Sequence, residues 1–206
     1  ENFNFVYHSI CSRPANRVEQ FYSRKAIAIN NVTDDEDGRI RFHSNIEGIY
    51  NELRELKPSR VEFIEDFKLT TQYTNSTKRK IMIRYILGRF EESKYPEQLV
   101  ERPIDDSISI EHILPQKPDE FWNLTEEEVK PYVHLIGNLV LVGIGFNSNA
   151  RNYELERKIS ELRTTAIQTT ADLLSEIEQT SSLIWTNTEI ENRTRQLAEI
   201  AYDELW

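Results

Sequence analysis

The sequence predicts an α+β chain that is mainly α-helical, with one small two-stranded element set between helical regions. Three observations carry this. Apolar residues recur at helical spacing through residues 1–106 and again through 165–206. Two short stretches between them alternate or run apolar in the manner of strands and are ended by prolines and glycines. A hydrophobic content of 38% with 10% aromatic residues in 206 positions is enough to build a buried core.

Ser12-Arg13-Pro14 has the look of a helix start with proline just inside, and the helix is expected to run to about Ile29. Asn31 to Arg39 is acidic and contains glycine, which predicts a surface loop. Ile46, Ile49, Tyr50, Leu53 and Leu56 fall on one helical face, with Pro58 beyond its end. A short helix is expected over Ser59–Leu69, and another from Asn75 to about Glu92 with Ile83, Ile86, Leu87 and Phe90 facing inward. Tyr95 to Asp106 reads as a connector.

Ser107 to Leu114 alternates with a period of two and predicts a strand, ended by Pro115 and Pro118. Thr125 with Glu128 three positions on predicts a capped short helix. Asn138 to Gly143 is a second strand. A helix beginning between Asn147 and Asn152 carries Leu155, Ile159 and Leu162 at successive turns. Two further helices are expected over Thr165–Glu178 and Glu189–Leu205. The organisation expected from this is an N-terminal helical region at 1–106, a small element at 107–164, and closing helices at 165–206.

Composition narrows the function classes. No apolar run approaches the roughly 20 residues that span a bilayer, and the start has neither the basic nor the apolar segment of a signal peptide. A membrane partner is therefore not expected. Cys11 is the single cysteine, which excludes an intramolecular disulfide and a Cys-rich zinc site, and a reducing cytoplasmic setting is expected. The absence of an initiator methionine points to a piece of a longer protein. The net charge of −10 opposes binding nucleic acid by charge alone, but the acid is concentrated in patches such as Asp34–Asp37 and Glu126–Glu128. Basic residues cluster at Lys78, Lys80 and Arg84, and again at Arg151 and Lys158, where phosphate contacts are expected.

The chemistry-bearing residues lie at strand and loop junctions. They are Glu111-His112 with Pro115-Gln116, Gly137-Asn138, and Asn147-Ser148-Asn149 through Asn152. An imidazole with an ordinary pKa near 6.5 can take a proton from water at neutral pH. A hard divalent cation such as Mg²⁺ or Mn²⁺ needs few protein oxygens, and Glu111 and Asn147 are of the right type. Asn149 and Asn152 are alternative ligands, with spacing favouring Asn147. Neighbours on a strand point to opposite faces, so Glu111 and His112 converge on one site only if it straddles the strand end.

The stretch Ser109–Lys158 resembles the C-terminal HNH-like nuclease family of GmrSD-type modification-dependent restriction enzymes. The residues that carry the resemblance are Ile110-Glu111-His112-Ile113-Leu114-Pro115-Gln116, Ile136-Gly137-Asn138-Leu139, and Asn147-Ser148 through Lys158. It is also similar to the HNH domain of RNA-guided CRISPR nucleases, whose later asparagines are spaced like Asn138 and Asn147. The resemblance implies a ββα-metal (HNH) finger in which His112 is the general base and Asn138 orients its imidazole. Glu111 and Asn147 would bind the metal. It implies a metal-dependent endonuclease or nickase acting on DNA in bacterial restriction or phage defence, following a ParB-like nucleotidase domain outside this chain. The competing reading is a non-catalytic DNA-binding or interaction module that docks that domain.

Overall fold

The residues described in the computed structural model, 2–97, 108–143, 154–180 and 183–206, fall into two units, Glu1–Thr70 with Trp206, and Thr71–Leu205. In the first unit, α1 (Asn2–Asn4) runs into a π-helical stretch, Phe5–Ile10. Pro14 stands at the N-cap of α2 (Ala15–Asn30), one place earlier than its fixed φ favours. The loop expected over Asn31–Arg39 is shorter than its composition implies. Asp35 accepts the Gly38 amide at 2.6 Å and starts α3 (Glu36–Leu56), so the acidic run forms the first turn, where the helix dipole favours it. Gly38 is required there because a Cβ would lie 1.8 Å from the Thr33 carbonyl oxygen. In α4 (Arg60–Thr70), Phe63 and Phe67 are fully buried and anchor this unit's core with Ile10 and Phe21.

The second unit holds the strands. After α5 (Thr77–Lys94) come β1 (Ile108–His112), a 3₁₀ turn at Glu120–Trp122, and α6 (Glu126–Val129). A 3₁₀ turn at Ile136–Asn138 leads into β2 (Leu139–Gly143), followed by α7 (Leu155–Leu162) and α8 (Gln168–Gln179). The last helix, α9 (Asn187–Ile200), continues as a π-helical turn at Ala201–Leu205 in place of one uniform helix. The described part is therefore mainly helical with a two-stranded antiparallel sheet, paired from Ile108 opposite Gly143 to His112 opposite Leu139.

Local chemistry sets these ends. Thr125 and Glu128 form the reciprocal capping box expected from their spacing. The buried Glu91 of α5 accepts the amides of Gln168 and Thr169, both at 2.8 Å, and so fixes the start of α8 three residues later than its apolar pattern. The core joins Ile113, Leu114, Val140, Val142, Ile159, Leu162, Leu174 and Ile190. Ile190, Thr194 and Ala198 of α9 and Ala201 of the π-helical turn are buried, while Leu197 is only half-buried.

Candidate functional site

His112 is the last residue of β1, and the chain turns immediately after it. That turn is shaped by Asn138. The side-chain oxygen of Asn138 accepts the Leu114 amide at 2.8 Å and the Trp185 indole N–H at 3.0 Å. Its amide nitrogen donates to the carbonyls of Leu114 at 2.9 Å and Val133 at 2.8 Å. The Asn138 carbonyl also accepts the Ile113 amide at 3.0 Å, carrying the ladder one step past the strand. With both ends of its amide used, Asn138 makes none of these bonds to the imidazole. Any orienting of His112 by Asn138, as the resemblance implies, would act through the backbone turn at Leu114, two residues on.

A second layer holds Asn138 in place. Arg193 of α9 donates to the carbonyls of Gly137 at 2.6 Å and Leu139 at 2.9 Å. Burial lowers its pKa to about 10, against the opposing pull of Glu176, so it remains cationic at neutral pH. The Gly137 amide donates to Thr194 Oγ1 at 3.1 Å, and a Cβ at Gly137 would fall 2.1 Å from the Ile190 carbonyl oxygen. Only glycine lets α9 approach this closely.

The two acid–base residues diverge as strand neighbours do. The His112 ring meets Tyr73 edge-on at 4.7 Å and His134 at 5.5 Å between ring centroids. Glu111 meets α7, where Lys158 Nζ lies 3.0 Å from its Oε1. Both nevertheless border one recess of about 310 Å³, lined also by Tyr73, Ile110, Pro115, Gln116 and Lys117. Pro115 and the turn bring them together at the strand end.

His112 is 5% exposed. Burial first, then the charges of His134 and Lys158, pull its pKa from the ordinary 6.5 to about 3, so it is neutral at physiological pH. Its Nδ1 stands 3.4 Å from Nε2 of the exposed Gln116. A donating Gln116 amide leaves Nδ1 as the acceptor and places the ring proton on Nε2. Nε2 is enclosed with no hydrogen-bond partner among the described residues. The lone pair on Nδ1 is directed at Gln116, itself a lining residue of the recess.

Among the described residues, no three His, Cys, Asp or Glu side chains are grouped to hold a metal ion. Glu111 is the only carboxylate among the described residues that line the recess. Such a donor set fits a hard cation that keeps most of its waters, and does not fit one ligated entirely by protein. Asn147, Asn149, Asn152 and Arg151 lie outside the described residues.

The basic residues are placed differently from one another. Lys78 is exposed at the start of α5. Lys80 sits over the Tyr73 ring at 5.4 Å, the same ring that packs on His112. Arg84 donates to the Ile108 carbonyl at 3.2 Å and so braces β1. Lys158 is fully buried, which corrects its expected role as a surface phosphate contact.

A family model described as the C-terminal domain of GmrSD restriction endonucleases matches residues 57–200. The chain belongs to this family. No curated protein and no solved structure gives a comparable match. The GmrSD C-terminal domain match spans every site element described above, from α5 through Arg193 and Thr194. Sequence reasoning singled out neither His134 nor Tyr73. Their contact with His112 is made across 22 or more positions of chain, and no local spacing signals it. Among the described residues of this GmrSD C-terminal domain, no helix is long and apolar enough to cross a membrane.

Proposed function

We propose that this domain is an HNH-type, divalent-metal-dependent endonuclease or nickase that hydrolyses DNA phosphodiester bonds within a bacterial restriction or anti-phage system. The observation that carries the reading is His112: a neutral imidazole at a strand end, its acceptor nitrogen directed at Gln116 in a recess shared with a carboxylate. Membership of a restriction-endonuclease family supports it.

In this mechanism a water in the recess gives its proton to His112 Nδ1 as it attacks phosphorus. The resting imidazole is a weak base because burial disfavours its cation. A phosphate seated beside it supplies the negative charge that raises its affinity for the proton as the reaction proceeds. Gln116, which stands at Nδ1 in the resting site, would give that nitrogen up to the water, while Tyr73 and His134 hold the ring from its flanks. Glu111 and the amide oxygen of Asn147 would hold a Mg²⁺ or Mn²⁺ ion, whose charge offsets that on the phosphate and the leaving oxygen. Lys80, over the Tyr73 ring that lines the recess, and the exposed Lys78 would contact the DNA backbone.

The test is incubation of supercoiled plasmid with the chain in Mg²⁺ or Mn²⁺, beside EDTA and His112→Ala controls. Nicked or linear product is expected only with metal and His112. Cleavage that survives His112→Ala sinks the mechanism. One observation favours a second reading: Glu111 is already paired with a buried cation, Lys158. On that reading the domain docks a ParB-like nucleotidase domain without cutting. His112→Ala would then alter assembly with that domain, and plasmid would stay intact with either chain.

A further inference from the structure

Lys158 has no role in the mechanism above, yet it is fully buried. It belongs to the inward face of α7, where Leu155, Lys158, Ile159 and Leu162 follow one another at i, i+3, i+4 and i+7. A methionine would fill that stripe without the desolvation cost of a charge. The ammonium lies 3.0 Å from Glu111 Oε1, and the two side chains are 0% and 13% exposed.

We propose that Lys158 is a positioning residue that holds and neutralises one oxygen of Glu111, so that the recess takes up a divalent cation only together with the phosphate of bound nucleic acid. The inference rests on the metal-dependent nuclease reading and deepens it. Two features of the pair support it. With Oε1 held, Glu111 has Oε2 left to offer, which makes it a one-oxygen ligand of fixed orientation. The charges of Glu111 and Lys158 also cancel, and no second carboxylate lines the recess among the described residues. An arriving cation meets no net negative charge there among the described residues, and an ammonium that repels it. The phosphate brings the negative charge that the protein withholds. A domain built this way stays empty of metal, and inert, until DNA is in place.

The test uses the whole chain with Mn²⁺ alone as the probe, followed by calorimetry with and without a short DNA duplex. Glu111→Gln serves as the blank for Mn²⁺ bound by the duplex itself. Glu111-dependent uptake by the wild-type chain is expected to tighten at least about tenfold when the duplex is added. Lys158→Met is expected to bind Mn²⁺ without DNA at least about tenfold more tightly than wild type, because the repelling charge is gone. A folded Lys158→Met chain with unchanged or weaker affinity overturns the inference, and marks Lys158 as packing alone. Should that variant fail to fold, the wild-type comparison decides, and equal affinity with and without duplex overturns it. Failure of the underlying reading looks different. It is seen as Mn²⁺ uptake that Glu111→Gln never changes, or as plasmid cleavage that His112→Ala leaves intact.

Discussion

Replacing Asn138 with alanine separates a structural role from a catalytic one. The side chain is 0% exposed and satisfies four groups: the Leu114 amide, the Trp185 indole, and the carbonyls of Leu114 and Val133. Alanine leaves all four facing a void. Each buried polar group left unsatisfied costs about 1–3 kcal/mol, and partial relaxation with water ingress halves the sum, giving an expected loss of about 2–6 kcal/mol. That is a large share of the roughly 5–15 kcal/mol by which a domain is usually stable. Urea unfolding followed by tryptophan fluorescence reads it directly, since Trp185 loses its partner in the same step. Asn138→Asp should also be destabilised, because it retains acceptors for Leu114 and Trp185 but turns an oxygen toward two carbonyls. A loss below about 1 kcal/mol in Asn138→Ala, with plasmid cleavage abolished, would refute the structural assignment and return Asn138 to the reacting groups.

Three further outcomes are expected. His112 has a folded pKa below its unfolded value, so the unfolded chain binds the extra proton between pH 6.5 and about 3. Its contribution is complete above pH 6.5 and is lost as pH falls through that window, up to about 5 kcal/mol at about 1.4 kcal/mol per unit. Urea titrations at pH 7 and 5 should show a smaller difference in His112→Gln than in wild type, by about 2 kcal/mol, and equal differences would disprove it. Gly137→Ala drives a methyl group into the Ile190 carbonyl and should cost about 3 kcal/mol or more, read as a lowered thermal midpoint. Glu91→Gln replaces one of two carboxylate acceptors at the start of α8 with a donor facing an N–H, and should cost about 1–3 kcal/mol in the same melt.

Much of the fold was legible because its signals are local. The alternation at Ser107–Leu114, the Thr125–Glu128 spacing and the apolar face of α5 each act within a few residues, and each became the expected element. The loop placed over Asn31–Arg39 misread one local signal. Asp35 with acidic residues behind it is a helix start, and Gly38 answers to the Thr33 backbone. The site was legible in residue type and less so in connectivity. His112 and Glu111 do share a recess, but what Asn138 bonds to depends on where the turn and Trp185 arrive in space. Lys158 did carry a readable signal, since a lysine set among Leu155, Ile159 and Leu162 occupies the inward face. Charge alone had pointed it at phosphate.

The hold of α9 on the turn beside His112 has a consequence in time as well as in space. Arg193 grips the Gly137 carbonyl from 56 residues further along the chain. A ribosome therefore makes the histidine and both strands well before the guanidinium that shapes them. Throughout that interval the nascent chain has the ingredients of the site without its frame. A product cut short before Arg193 would keep His112 and Glu111 and still lack the clamp. If this domain cuts DNA, the order of its own synthesis withholds the blade until the last helix has emerged.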